Sequence, residues 1–521
     1  MSARRYYRGS SDGKRPVVRD PLADVAAEYD VAIIGSGLGG MTAANVLARA
    51  GHRVALFEQH YNFGGLATWF KRSGRRAGSD GESGAAAGAG HVFDVSLHGF
   101  PVGMRKTCRK YWTRELEAAI HRLDGVRFSN PQFELDTDFT RADFTRLLIE
   151  RFGIEQARVV RFYDVLGAMD FFAPPKSTIG ELFEEHFPGR NDVHRLLLEA
   201  ISYANGSALS DPAIAYGIVF TNFMSAGIYT FRGGTDWLVR TMKAELQRHG
   251  VALFHDAQVE RILVDNDLCG RRVRGILVGG REVRARAVIS NANVLSTISK
   301  LVGAEHFAPE FLAAAKAVRL NTASCQVYLG IRPDTPLPWI TDLLLDSTAP
   351  TFESESLRDF PGQSRTFSFY YPAVRPDAPP RHAIVASLNA RYDEWAALSQ
   401  PDYEARKTQL ADHTIAALER HLPDARARID HVEVATPRTF AFYTQHPSGT
   451  SFGTKFEGLD VSQRLPSEIR GLYHAGSVGI IMSGWLGAAN YGAIVANRAD
   501  DLLHTLSRAA LEAGAPHGTV S

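Results

Sequence analysis

Cysteine is nearly absent: the 521 residues hold three, Cys108, Cys269 and Cys325, far apart in the chain. That leaves no disulfide framework, no cysteine-built zinc site and no CxxC redox pair, and it predicts a reducing, cytoplasmic setting. No metal site is expected. Net charge is lacking as well, with 58 Lys plus Arg against 57 Asp plus Glu. The balance is uneven. Arg4, Arg5, Arg8, Lys14, Arg15 and Arg19 face only Asp12 within residues 1–19, a net of +5 that leaves −4 for the other 502 residues. A folded body so near neutrality has no field to draw in a polyanion, which disfavours nucleic acid as a partner. The basic start has no apolar run behind it, so it reads as a solvated arm and not as an export signal. Long apolar runs are missing too. Residues 213–231 and 475–497 carry no charge, but Thr221 and Asn222 interrupt the first, and Gly476, Gly479, Gly484, Gly487 and Gly492 the second. No membrane-spanning helix is predicted, and peripheral membrane contact is left open.

What the chain does have is 45% hydrophobic and 22% charged residues, the make-up of a globular protein of two or three compact regions. Near its start, the apolar run Asp30–Ile34 breaks at Gly35 as a buried parallel strand does. A small-residue helix over Met41–Ala50 follows, stopped by Gly51, and Arg53–Glu58 reads as a second strand. The turn is Gly35-Ser-Gly37-Leu38-Gly39-Gly40, the G-x-G-x-x-G spacing of a dinucleotide site. Gly35 permits the tight turn and Gly37 a close approach to a pyrophosphate. Gly40 lets helix and strand pack, and the helix start offers free N–H groups to the anion. Glu58 lies 18 residues beyond Gly40, where a carboxylate accepts from ribose hydroxyls.

Glu58, followed by Gln59 and then by Gly64-Gly65-Leu66, makes a Glu-x5-Gly-Gly extension. It resembles the signature of FAD enzymes of the glutathione reductase, amine oxidase and phytoene desaturase superfamily. Further segments carry the resemblance along the chain. Phe93-Asp-Val-Ser-Leu-His98 resembles the segment that re-enters the flavin site, and Phe231-Arg-Gly-Gly234 the return to the FAD domain. Val259 matches the strand whose backbone meets the adenine, with Asn291 following the later strand Ala287–Ile289. Ala475-Gly476-Ser477 and Gly487-Ala488-Ala489 resemble the segment that closes over the ribityl chain and pyrimidine end; many relatives have Asp where Ser477 stands. FAD is the cofactor the resemblance implies. Gly279-Gly280 lies between strands and reads as a hairpin turn, so a second, NADPH-binding domain is not expected.

The implied fold is α/β: a Rossmann-like FAD-binding domain of the amine oxidase type with an inserted α+β substrate domain. Its expected boundaries are a basic arm over 1–27, FAD-binding parts over 28–100 (with a flexible loop at 72–90), 233–300 and 456–508, and a tail over 509–521. Between them lie a largely helical substrate or lid region, 101–232, and a β-rich region, 301–455.

Phytoene desaturases, carotenoid isomerases and retinol saturases are the branch this chain most resembles. They imply a long apolar polyene or isoprenoid substrate that is desaturated, saturated or isomerised. A separate electron donor or acceptor (a quinone, oxygen or a reductase) is then expected, since flavin carries the hydride chemistry. The uncharged stretch Tyr216–Phe231 is read as a wall of the tunnel, with an ordinary helical core as the alternative. His98 and His446 are candidate proton donors or acceptors, because imidazole titrates near neutrality. Tyr443 and Trp485 are candidates to pack beside the ring. Two other readings stand beside this one. One is an amine oxidase-type enzyme acting on a small metabolite, which would want a charged anchor or aromatic cage. The other is a prenyl-lipid carrier resembling the GDP-dissociation inhibitors, against which the intact glycine and Glu58 set argues.

Overall fold

The computed structural model describes residues 20–72, 90–96, 98–170, 176–224, 226–267, 270–374, 382–479 and 481–514. The expectations placed on the arm before Asp20, on the loop between Arg72 and Gly90, and on Cys269 lie outside the described residues.

Strand Glu28–Ile34 is apolar in four consecutive buried positions because it is covered on both faces and paired on both edges. It runs parallel to Val54–Phe57 on one side and to Arg281–Ser290 on the other. Ala252–Phe254 extends the sheet beyond Val54–Phe57, and Leu472–His474 pairs in parallel with the inner half of Arg281–Ser290. The outer half of that strand turns antiparallel with Gly270–Val278, which in turn pairs with Val259–Asp267. Gly279 and Gly280 both take positive φ, 56° and 71°, as a two-residue hairpin turn requires. Helices Leu38–Arg49 and Gly484–Gly514 pack together over this sheet. Their approach is set by glycine: a Cβ on Gly492 would strike the Gly39 carbonyl oxygen, and one on Gly39 the Ala475 carbonyl oxygen.

A second seven-stranded sheet runs in the order Ile429–Ala435, Ala323–Ile331, Ala383–Ala390, Ser364–Tyr370, Leu343–Ser347, Val126–Asn130 and Phe133–Thr137. Its strands alternate with the pleat. Cys325, Val327 and Leu329, with Phe367 and Ile384, face a core shared with helix Gln400–Glu419. Ser324, Gln326, Tyr328, Ser387 and Asn389 point the other way.

Beside its helices, the region 101–232 contributes the hairpin of Val126–Asn130 and Phe133–Thr137 to the edge of the second sheet. None of the described residues of the stretch Tyr216–Phe231 lines the cavity at the strand ends. Helix Ala213–Met224 sits inside an aromatic core, where Tyr216 stacks on Phe220 at 5.0 Å and meets Phe183 edge-on at 5.1 Å. The C-terminal helix also continues to Gly514, past the expected start of a tail at 509.

Among the described residues, no helix is long and apolar enough to cross a membrane.

Candidate active site

The parallel strands end together at Ile34, Phe57, Phe254, Ser290 and His474, and a cavity of about 500 Å³ begins beyond those ends. Ligands bind outside the carboxyl ends of such strands, at the crevice between diverging connections. Gly35 (φ +91°) makes the turn, and Gly35, Gly37, Leu38 and Gly39 line the wall. Gly37 is the N-cap of helix Leu38–Arg49 and brings no side-chain acceptor, so the first amides of the helix are offered to an anion. Gly64 and Gly65 run alongside: Gly64 bridges to Gly37 in parallel fashion, and a Cβ on Gly65 would come within 2.9 Å of Gly37 Cα.

Glu58 is buried at the edge of this cradle. One carboxylate oxygen accepts from the Ser36 amide (2.8 Å) and hydroxyl (2.6 Å), and the other from the His60 amide at 2.9 Å. Three donors therefore fix the carboxylate beside the glycine turn. Gln59 donates to the Tyr443 carbonyl (2.8 Å), while Leu66 and Val259 line the cavity further along. Asn291 leaves its strand by donating its amide to the Ile34 carbonyl (2.7 Å), and its side chain lies over Gly35, Gly37 and Gly40. Ser477 and Ala488 close the opposite wall, where helix Gly484–Gly514 begins and turns its positive end to the cavity.

Four residues expected at the cofactor stand behind the wall and do not line the cavity. Gly40 packs on the Gly35 carbonyl, Gly476 on the Ala292 carbonyl and Gly487 on the Ile481 carbonyl, while Ala489 is fully buried. Each fits where it does because a larger residue would collide with backbone or break the helix packing.

At the other end, the polar face of the second sheet forms a floor. His98 is clamped on it: Nδ1 lies 2.7 Å from Ser368 Oγ and Nε2 2.8 Å from Ser387 Oγ. Gln326 donates toward Ser387 at 3.3 Å and accepts from the Tyr328 hydroxyl. Ser324 pairs with Ser451 and Asn389 donates to the Ser202 carbonyl. Burial pushes the His98 pKa down to about 4, so the ring is neutral at physiological pH. The near-neutral titration expected of it is thus not what its surroundings provide. His446 is buried likewise and its pKa is lowered by desolvation. Its Nδ1 donates to the Thr450 carbonyl (3.0 Å), which leaves Nε2 as the unprotonated nitrogen. Both histidines line the cavity as neutral, positioned groups. Trp485 lines it against Phe100 and Phe231, whereas Tyr443 does so from the Glu58 side, edge-on to His60 at 5.3 Å.

Several site residues escape a reading of the sequence. Ser36 is hidden as the variable residue of the glycine fingerprint, yet it orients Glu58. His474 is buried and bridges Ser462 (2.7 Å) to the Ala292 carbonyl (2.8 Å), which fixes the loop carrying Asn291. Gln326 and Ser387 had a signal, since Ser324, Gln326 and Tyr328 alternate strictly with Cys325, Val327 and Leu329.

Comparison with known proteins agrees with this architecture. Cyclohexylamine oxidase from Brevibacterium oxydans shares the fold with a TM-score of 0.60, at 14% identity over 92% of this chain and 99% of that one. In sequence, the chain is 25% identical to prolycopene isomerase from Daucus carota, over 81% of this chain and 71% of the relative. It is 23% identical to human all-trans-retinol 13,14-reductase, over 91% of this chain and 86% of the relative. The family model described as flavin containing amine oxidoreductase matches residues 38–478. A glycine cradle at the strand ends, a buried Glu58 beside it and a match over most of the length lead to one conclusion: the chain belongs to the flavin-containing amine oxidoreductase family, whose members are flavin oxidoreductases.

Proposed function

We propose that this protein is an FAD-dependent oxidoreductase acting on carbon–carbon bonds of a long, uncharged polyene or isoprenoid. The observation that carries the reading is the state of the carboxylates along the cavity. Glu58 is held by Ser36 and His60, Glu260 accepts from the Gly280 amide (3.0 Å), and Glu433 is paired with Arg72 through two bonds of 2.6 and 2.7 Å. Among the described residues lining the cavity, no carboxylate stands ready to anchor an ammonium group, which disfavours an amine substrate. The polar floor is likewise bonded to itself through Ser324, Gln326, Ser387 and Asn389, so it asks for no hydrogen bonds from a substrate. The likeness to prolycopene isomerases and retinol reductases points the same way.

The residues present suit FAD. The uncapped helix start at Gly37–Gly39 would take the pyrophosphate, Glu58 the ribose, and Ser477 with Ala488 the ribityl and pyrimidine end. When bound, FAD supplies hydride exchange at N5. The protein positions the polyene over the floor, excludes water through Phe440, Phe452 and Trp485, and keeps His98 uncharged beside the reacting region. Desaturation requires an electron acceptor such as a quinone or oxygen, saturation requires a reductase, and isomerisation requires neither in net terms. Exposed Tyr61, Phe442 and Tyr443 gather at the rim beside Glu58, where we assign peripheral membrane contact.

Anaerobic incubation of the FAD-loaded protein with prolycopene, retinol and a panel of primary amines, run once with oxidised flavin and once with polyenes on flavin reduced beforehand by dithionite, tests this. A polyene product that has lost, gained or merely rearranged hydrogens, with flavin left oxidised by the amines, is expected and identifies the direction. Flavin reduction by an amine with the polyenes untouched would overturn the reading.

A further inference from the structure

Well away from the cavity, three side chains with metal-ligating atoms meet on the outer surface of the flavin domain. His52 stands just past Gly51, whose φ of +94° ends the turn after helix Leu38–Arg49. Asp500 and His504 are one turn apart on helix Gly484–Gly514, facing it. His52 Nε2 lies 2.6 Å from Asp500 Oδ1, and His504 Nε2 lies 3.3 Å from the same oxygen. All three ligand atoms fall within 4.8 Å of one another, and the imidazole centroids are 5.7 Å apart at 60°.

Two donors on a tetrahedral ion with bonds of about 2.0–2.1 Å are separated by roughly 3.3 Å. The three atoms here therefore need only small side-chain rotations to share one ion. Among the described residues, the ion pairs of Asp500 are with these two imidazoles and with no lysine or arginine, so no fixed cation occupies the position. The His52 side chain is only 12% exposed and already ordered, Asp500 is 28% exposed, and His504, at 61%, leaves the outer side open to water. Two imidazole nitrogens and one carboxylate oxygen are a borderline donor set, suited to Zn²⁺ and its first-row neighbours and poorly suited to Mg²⁺ or Ca²⁺.

We propose that His52, Asp500 and His504 form a binding site for a late first-row divalent cation, with Zn²⁺ as the best fit. The ion joins the C-terminal helix to the turn leading into strand Val54–Phe57. Those same two elements carry Ala488 and, just beyond Phe57, Glu58 into the cofactor cavity. The ion is a brace on the cradle, remote from the reacting atoms.

The test uses the full-length, tag-free, flavin-loaded protein, stripped with a chelator, desalted and titrated with Zn²⁺ by calorimetry. One Zn²⁺ per chain is expected, weakened at least tenfold in His504→Ala and in His52→Ala, with circular dichroism reporting that the variants are folded. His504 is largely exposed, so that variant keeps the test open if His52→Ala does not fold. Zn²⁺ should also raise the melting temperature of the wild type and leave that of His504→Ala unmoved. No stoichiometric uptake, or equal affinity in wild type and His504→Ala, would overturn the proposal.

Discussion

Acid should destabilise this protein through specific buried imidazoles, and His98 gives the case that can be worked furthest. Both of its nitrogens are taken by serine hydroxyls, and its burial lowers the pKa from 6.5 to about 4. In the unfolded chain the ring takes up a proton near pH 6.5; in the fold it does so only near pH 4. Between these values the unfolded state binds the extra proton, so stability falls as the pH drops below 6.5 and stops falling below 4. At about 1.4 kcal/mol per pH unit, moving from pH 6.5 to 5.0 removes about 2 kcal/mol on account of His98 alone. His474, also lowered to about 4 by burial, removes a similar amount. Together they approach the whole stability of a marginal domain, on the order of 5–15 kcal/mol. The assay is urea unfolding at pH 6.5 and 5.0, with saturating flavin, for wild type and His98→Gln. The other histidines are common to both proteins, so their contribution cancels. The variant should lose about 2 kcal/mol less than wild type over this interval. Equal losses would mean that His98 is not held neutral, and the reasoning from its two serine partners would fail.

Other outcomes follow from the same geometry. Glu58→Ala strips the acceptor from the Ser36 and His60 amides and, on the proposed placement, from the cofactor ribose, so flavin retained after dialysis should fall, with the dissociation constant raised at least about tenfold. Unchanged occupancy by visible absorption would count against the placement of Glu58. Gly492→Ala drives a methyl group into the Gly39 carbonyl at the helix crossing and should cost about 1–3 kcal/mol, visible as a lower melting temperature. Cys108 and Cys325 are buried, and desolvation pushes both thiols up, Cys108 to about 12. At pH 8 both should resist a thiol-reactive dye in the folded protein and react once it is denatured.

The βαβ unit was legible because each of its signals is local: a buried apolar strand, a glycine turn, a small-residue helix and a carboxylate at a fixed spacing. Glu58 could be assigned to the cavity for that reason. Tyr216–Phe231 misled because an uncharged helical stretch reads the same whether it faces a cavity or a packed core, and only tertiary partners such as Phe183 and Phe144 decide. The environment of His98 was equally beyond reach. Ser368 and Ser387 arrive from strands 270 and 289 residues later, and nothing near His98 in the chain announces that its ring will be enclosed. The hairpin Val126–Thr137 was missed because its alternation is short and set among helices, and its partner strand Leu343–Ser347 lies far downstream.

The central strand Arg281–Ser290 lies between Glu28–Ile34, from the opening of the chain, and Leu472–His474, from near its close. Synthesis therefore delivers the glycine turn and Glu58 several hundred residues before Ser477 and Ala488 arrive to complete the opposite wall. A nascent chain halted before residue 472 lacks the strand Leu472–His474 and the wall that Ser477 and Ala488 supply, so it has no enclosed cradle. A firmly held flavin would therefore report that the segment through Ala488 has been made and has closed against the early glycine turn.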